Sequence, residues 1–414
     1  MAQQPDKSSR RRMSNRKYLT IWVPVLAFAT VLVVVLNVAL SVAHGWVASQ
    51  LGSGTYTVVN AEAAADWDTE YYTPDFDSPE AADEAAKALV AEIGAEGMVL
   101  AKNADSALPL KAGSRVTLLG RSAADPIYGG AGSGSIDVGD AVTVRQALED
   151  AGFAVNDPVF QAIADHAAAN PRGYIEMDKP DVSTYNIGEL PIAAYRDLAQ
   201  DFAGFTDAAV VVVGRPGGEG GDLTRDMTGW DDNHQPGQHQ LELNLDERGL
   251  IELAATAFDN VVVVVNASTT LELGWVQDNP GVDAVILAGS PGLTGFEGLG
   301  RILAGTANPS GRTVDTWAAD FTADPTFVNF GDFVYTNLEV SYPVGRLETV
   351  ASNAEVTPEA AFVNYAEGVY VGYRYYETAA AEGFIDYDQA VVYPFGYGLS
   401  YTDFAWEVTD STLG

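Results

Sequence analysis

The hydrophobic pattern divides the chain into a short head, one long apolar run and a larger mixed body. Residues 18–43 carry no charged side chain and are rich in Val, Leu, Ala and Ile. About 20 apolar residues let a helix cross a bilayer, so this run predicts a membrane-spanning helix. Residues 44–78 show no sustained period and read as a tether. Pro79-Glu80-Ala81-Ala82-Asp83 opens a helix that runs to about residue 93, with Ser78 as N-cap and acids in the first turn.

Beyond residue 98, apolar runs alternate with helical patterns. Strands are expected at 115–120, 153–155, 208–213, 261–265 and 282–288, and helices at 143–151, 245–258 and 298–303. In the second of these helices Leu250, Leu253, Ala254 and Ala257 recur at helical spacing. Uninterrupted valine-rich strands between helices indicate a parallel sheet covered on both faces. The fold class is therefore α/β: a doubly wound, mostly parallel α/β/α sandwich with right-handed crossovers. Near residue 360 the character changes. Residues 367–376 alternate around aromatics like an edge strand, and 403–408 read as one further strand. A lone strand does not make a domain, so a β-domain is expected to begin here and to continue past the given sequence. The expected organisation is a basic head at 1–17, a span at 18–43, a tether at 44–78, the sandwich at 79–390 and the start of the β-domain at 391–414.

Charge sharpens this division. Lys7, Arg10, Arg11, Arg12, Arg16 and Lys17 precede the apolar run against a single acid, Asp6, whereas the whole chain has a formal charge of −35. Basic residues stay on the cytoplasmic side, so the head is expected inside and the body outside the cell membrane, as a single-pass protein. A cleaved signal peptide is the rival; its apolar region is about 7–15 residues long, shorter than this run, although Ser41-Val42-Ala43 offers a small-x-small site. Lys+Arg is 22 against Asp+Glu 57, which leaves no cationic footprint for nucleic acid. The chain has no cysteine, so disulfides, zinc–thiolate sites and cysteine nucleophiles are excluded.

Two glycine-rich loops are the candidate chemistry. Gly214-Arg215-Pro216-Gly217-Gly218-Glu219-Gly220-Gly221-Asp222 directly follows an apolar strand, where open α/β sheets bind ligands. Its glycines leave the Glu219 carboxyl uncrowded. Its bland reading is a solvated acid in an acidic protein. Gly129-Gly130-Ala131-Gly132-Ser133-Gly134-Ser135 fits neither G-x-G-x-x-G nor the P-loop pattern, which disfavours nucleotide binding. It reads either as a surface loop or as a backbone-and-hydroxyl lining for a polar ligand, with Gly132, Ser133 and Gly134 at its centre. His44, His166, His234 and His239 are read as surface residues, since the last two are not spaced as a one-face metal pair. No metal or cofactor is expected. There is no G-x-S-x-G elbow.

These residues carry a resemblance. Gly97-Met98-Val99-Leu100-Ala101-Lys102-Asn103 leading to Ala107-Leu108-Pro109-Leu110, the 129–135 loop, Glu219-Gly220-Gly221-Asp222, Asn308-Pro309-Ser310-Gly311-Arg312, and the 367–378 and 393–401 stretches resemble, in order, the α/β-sandwich domain of glycoside hydrolase family 3, β-glucosidase type. The resemblance implies retaining hydrolysis of terminal β-linked glycosides by two carboxyls about 5–5.5 Å apart. Glu219 matches the acid/base glutamate, which needs a raised pKa to donate a proton. Asp222 follows in the same loop. The family often has Arg directly after this Asp; here Leu223 intervenes and Arg225 is the nearest candidate. The family's barrel, which bears the nucleophile, is not among these residues and is expected downstream, after a fibronectin type III-like domain whose first strand lies in 391–414. The given chain is thus expected to supply the acid/base half of the site and to be silent alone. The alternative is a membrane-anchored, non-catalytic module that binds glycans or docks a partner. Oligosaccharide or glycoside substrates and the lipid bilayer are the expected partners.

Overall fold

The structure, a computed structural model, describes residues 15–44, 75–130, 134–172, 186–218, 224–229, 233–329, 333–335, 361–403, 405 and 407–408. The chain divides into two units, residues 1–75 and 76–414. The first contains helix α1, Asn15–Val42, none of whose residues is buried. At about 1.5 Å per residue it exceeds the roughly 30 Å of a bilayer core. Thr20, Thr30 and Asn37 each donate to the carbonyl four residues earlier, which satisfies their polar groups inside the helix.

The second unit begins with α2, Pro79–Gly97. Ser78 caps it, its Oγ accepting from Ala81 N at 3.2 Å, with Pro79 at the first turn. Six strands follow in one sheet: β1 Val99–Asn103, β2 Arg115–Leu119, β3 Ala154–Val155, β4 Ala208–Arg215, β5 Val261–Ala267 and β6 Ala284–Leu287. Their order is β1-β6-β5-β4-β2-β3, parallel throughout except β1, which runs antiparallel to β6. The central register pairs Ala209 with Val261 through to Arg215 with Ala267.

Both faces of the sheet are covered. Ala209, Val211 and Val213 of β4 and Val261, Val263 and Val265 of β5 pack with α5 (Asp157–Ala169), α6 (Ile192–Leu198) and α7 (Leu245–Ala257). The alternate residues Val210, Val212, Val262 and Val264 pack with α4 (Val144–Asp150) and with a later helix, Phe296–Leu303. This period-two division is what a sheet buried on both faces requires. A short helix at the exit of β2, Arg121–Ala124, is α3. Helix α8 is Gly274–Asp278 and α9 is Phe296–Leu303. Helix α2 meets α9 through glycines: a Cβ on Gly298 would lie 2.3 Å from Ala95 N.

Two expectations are corrected. Residues 367–376 are not an edge strand; a turn at 366–369 leads to helix α10, Tyr373–Ala381. Tyr376 and Ala379, three apart, are buried on one helical face, and Tyr376 packs with Ala318 and Val391. The alternation of aromatics mimicked a strand, but the burial follows the helical period. Of 403–408, the described residues 403, 405, 407 and 408 are irregular. Val391–Tyr393 pairs antiparallel with Trp317–Ala318, and Leu399 N donates to Leu100 O, so this stretch joins the sandwich body.

Candidate active site

The strand order reverses direction at β2, whose neighbours are β3 on one side and β4 on the other. Such a switch point leaves a crevice beyond the carboxyl ends of the two strands that flank it, where ligands of open α/β sheets bind. Here β2 exits into the segment leading to the 129–135 loop and β4 exits into the 214–222 loop. The structure brings the two together: a Cβ on Gly130 would sit 3.5 Å from Gly217 O and 3.6 Å from Gly218 Cα. Glycine is required at the exits. Gly120 has φ +88°, and a Cβ there would be 2.3 Å from Val212 O. A Cβ on Gly214 would meet Ser122 Oγ at 2.2 Å.

Buried polar groups hold these exits. Asn266, the first residue after the valine run of β5, is fully buried. Its Oδ1 accepts from Ile127 N at 2.7 Å, and its Nδ2 donates to Ile127 O at 2.8 Å and Gly289 O at 2.7 Å. It thereby clamps the base of the 129–135 loop to β5. Arg121 is 1% exposed. Its guanidinium donates to the carbonyls of Asn170, Gly188 and Ala167 at 2.6, 2.9 and 3.3 Å, and twice to Asp125 Oδ2 at 3.0 and 3.2 Å. Arg215, also 1% exposed, pairs bidentately with Glu247 at 2.6 and 2.7 Å. It also donates to the carbonyls of Gly214, Gln240 and Glu242. Each arginine therefore uses all the N–H donors a guanidinium has.

A buried carboxyl lies at the β2 exit. Glu189 accepts from Arg121 N, Leu190 N and the Tyr195 hydroxyl at 2.7–3.0 Å, while Tyr195 Oη accepts from Gly120 N at 3.1 Å. Burial pushes Glu189 up to about 7, with the Glu247 charge adding to it and the three donors opposing it. Burial and the Arg215 charge push His234 down to about 4.

The sequence-predicted residues fare differently. Glu219, Asp222, Gly132 and Ser133 lie outside the described residues. Gly134 is described and exposed, its carbonyl folding back to within 2.8 Å of a Cβ on Gly129. Arg225 is half-buried and donates to Phe327 O at 3.2 Å. His239 was expected at the surface and is instead buried. Its Nδ1 accepts from Leu241 N at 3.2 Å, so the proton sits on Nε2, 3.0 Å from Glu272 Oε1. Phe321 and Phe327 pack around the ring. Arg121, Arg215, Glu189 and Asn266 were not foreseen as site-forming residues. A polar residue closing an all-valine run was the one available signal, at Asn266.

Beside this rim, beyond the ends of β5 and β6, lies an open cavity of about 570 Å³ lined by Ser268, Thr269, Thr270, Gly289 and Asp315 among others. Among the described residues no group of three His, Asp or Glu side chains is placed to hold a metal ion. The rim can thus offer a polar ligand backbone and hydroxyl groups, with the Glu189 carboxyl buried underneath rather than facing outward.

Residues 98–401 match the family described as the glycosyl hydrolase family 3 C-terminal domain. Beta-glucosidase A of Butyrivibrio fibrisolvens is 30% identical over 337 residues, covering 77% of this chain and 35% of that protein. The beta-glucosidase of Ruminococcus albus is 29% identical, covering 76% and 28% respectively. Among solved structures, a beta-glucosidase from Paenibacillus barengoltzii superposes with a TM-score of 0.58 at 26% identity, covering 80% of this chain and 31% of that one. Beta-glucosidase 3B of Thermotoga neapolitana, in complex with alpha-D-glucose, gives 0.56 at 26% identity, covering 79% and 39%. The chain thus spans about a third of the length of these relatives.

Proposed function

The chain belongs to the glycosyl hydrolase family 3 C-terminal domain family, and from that premise we propose that it serves a retaining β-glucosidase-type hydrolase by carrying the acid/base residue, Glu219. The observation that carries this reading is the meeting of Gly130 with Gly217 and Gly218 at the switch point. It sets the start of the Glu219 loop at the rim where a sheet of this kind receives its ligand. In the first step the Glu219 carboxyl gives its proton to the glycosidic oxygen as a carboxylate on the family's barrel attacks the anomeric carbon. In the second, the Glu219 carboxylate takes a proton from the water that releases the sugar. The 129–135 loop, Asp222 and Arg225 contribute polar contacts to the glycoside.

In the same reading, residues 18–43 anchor the protein in the cell membrane with the basic head in the cytoplasm. The self-satisfied polar side chains of α1 support it.

The test is Glu219→Gln in the full-length gene product. On a glycoside with a poor leaving group, kcat/KM should fall by about 10²–10⁴-fold, because the leaving oxygen loses its proton donor. On an activated aryl glycoside, whose leaving group needs no proton, the same constant should barely change. Equal losses on both substrates remove Glu219 from the acid role. Binding of a glycoside without any turnover in the full-length protein favours the non-catalytic module instead.

A further inference from the structure

Arg215 is the last residue of β4 and lies four residues before Glu219. Its contacts are with both ends of the excursion that contains that glutamate. Gly214 O lies at the departure; Gln240 O and Glu242 O lie at the return; Glu247 belongs to α7, where the chain rejoins the sandwich. Glu247 is itself fixed. Glu247 N donates to Asn244 Oδ1 at 2.9 Å and Asn244 N donates to Glu247 Oε2 at 3.0 Å, a reciprocal cap at the start of α7. The ring of bonds from strand end through guanidinium to helix start therefore closes the base of residues 216–239.

We propose that Arg215 is a positioning residue for the proton donor of the 214–222 loop. This rests on the reading of Glu219 as acid/base. A bare structural role is the competing explanation, and the bond pattern separates the two. Stability alone is served better by apolar packing than by a buried ion pair at such a place. What a planar, fully bonded guanidinium adds is direction: five donors in a fixed fork hold three carbonyls and one carboxylate at set angles. Lysine has three donors on a flexible stem and cannot hold all of these acceptors.

The experiment compares Arg215→Lys with Glu219→Gln in the full-length gene product, on one poor and one activated leaving group. If Arg215 positions the acid, Arg215→Lys lowers kcat/KM on the poor leaving group on the order of 10–100-fold, because proton transfer depends steeply on geometry. The activated substrate loses far less. The double variant loses no more on the poor leaving group than Glu219→Gln alone, since both changes act through the same proton. A role in folding only reduces the active fraction and scales both substrates by one factor; that result overturns the proposal. Should Arg215→Lys fail to fold, Glu247→Gln, which keeps an acceptor for the cap, is held to the same criterion. If Glu219→Gln itself is blind to the leaving group, the acid/base reading fails first, and a leaving-group dependence in Arg215→Lys would then point to another donor.

Discussion

The two ends of the parallel sheet use charge in opposite ways. At the amino ends of the strands, the exposed Asp207 accepts one backbone N–H, from Arg115, at 2.7 Å. The half-buried Asp283 accepts one from Val261 at 2.8 Å. Neither is withdrawn from the surface, and each holds a single strand start. At the carboxyl ends, Arg121 and Arg215 are withdrawn from water, and each is saturated by protein acceptors. Taking a charge out of water costs several kcal/mol, offset only when every donor finds a partner. A fold that needed only stability would have no reason to concentrate that cost at one end. The asymmetry marks the carboxyl end as the place where geometry matters, independently of any family likeness.

The largest effect expected from this contrast is on Arg215. Arg215→Met leaves Glu247 buried without its counter-charge and should cost about 3–5 kcal/mol in thermal or denaturant unfolding of the full chain. Changing Glu247 to Leu as well removes the stranded carboxylate. The double variant should therefore be more stable than the sum of the two single changes predicts, although three carbonyls still lose their donor. Strict additivity would mean that the pair is not coupled and that the contrast between the sheet's ends has been misread.

Next comes the carboxyl beneath the β2 exit. Glu189 has an ordinary value of 4.5 when unfolded and about 7 when folded. Below 4.5 both states hold the proton and the group contributes nothing to the pH dependence. As pH rises from 4.5 to 7 the unfolded chain releases a proton that the native state keeps, so stability falls. Above 7 the loss levels off at about 3 kcal/mol. Glu189→Gln should remove that slope while keeping one acceptor oxygen for Arg121 N and Tyr195. Urea midpoints of both proteins at pH 5 and pH 8 measure it: the wild type should lose more than the variant between the two. Identical shifts would show that Glu189 does not titrate in that window.

Much of the frame was legible beforehand, and the reason lies in local signals. The Val261–Val265 run, the Ser78-Pro79-Glu80 start and the glycine that ends 143–151 are each decided by neighbours in sequence. All appear within a few residues of their expected place. Helix α5 was not foreseen, although Asn156 caps it and Pro158 sits in its first turn, because its apolar face is interrupted by alanines. The 367–376 stretch misled because aromatic alternation also fits a helix whose buried face is set by tertiary partners, Tyr376 against Val391. Both glycine loops were visible; their meeting was not, since it depends on the strand order and not on anything between residues 130 and 217. The buried arginines were invisible for a different reason. Arginine at a strand end is ordinarily solvated, and only the arrival of Gln240, Glu242 and Glu247 from a distant return makes Arg215 a core residue. His239 follows the same logic, buried by Phe321 and Phe327, which come from far along the chain.

The smallest expected effect completes the contrast. Asp207→Asn at the amino end keeps an oxygen for Arg115 N and changes only an exposed charge. Exposed groups of this kind contribute at most about 0.5–1 kcal/mol, because water replaces what the substitution removes. The unfolding midpoint should therefore shift by a small fraction of the Arg215→Met change. Activity of the full-length protein should be untouched on poor and activated leaving groups alike, since Asp207 lies at the end of the sheet opposite the loops. A loss comparable to that of Arg215→Met would mean that the exposed acid carries as much of the structure as the buried cation. The difference between the two ends would then reflect where the loops happen to be long, not where the fold fixes its chemistry.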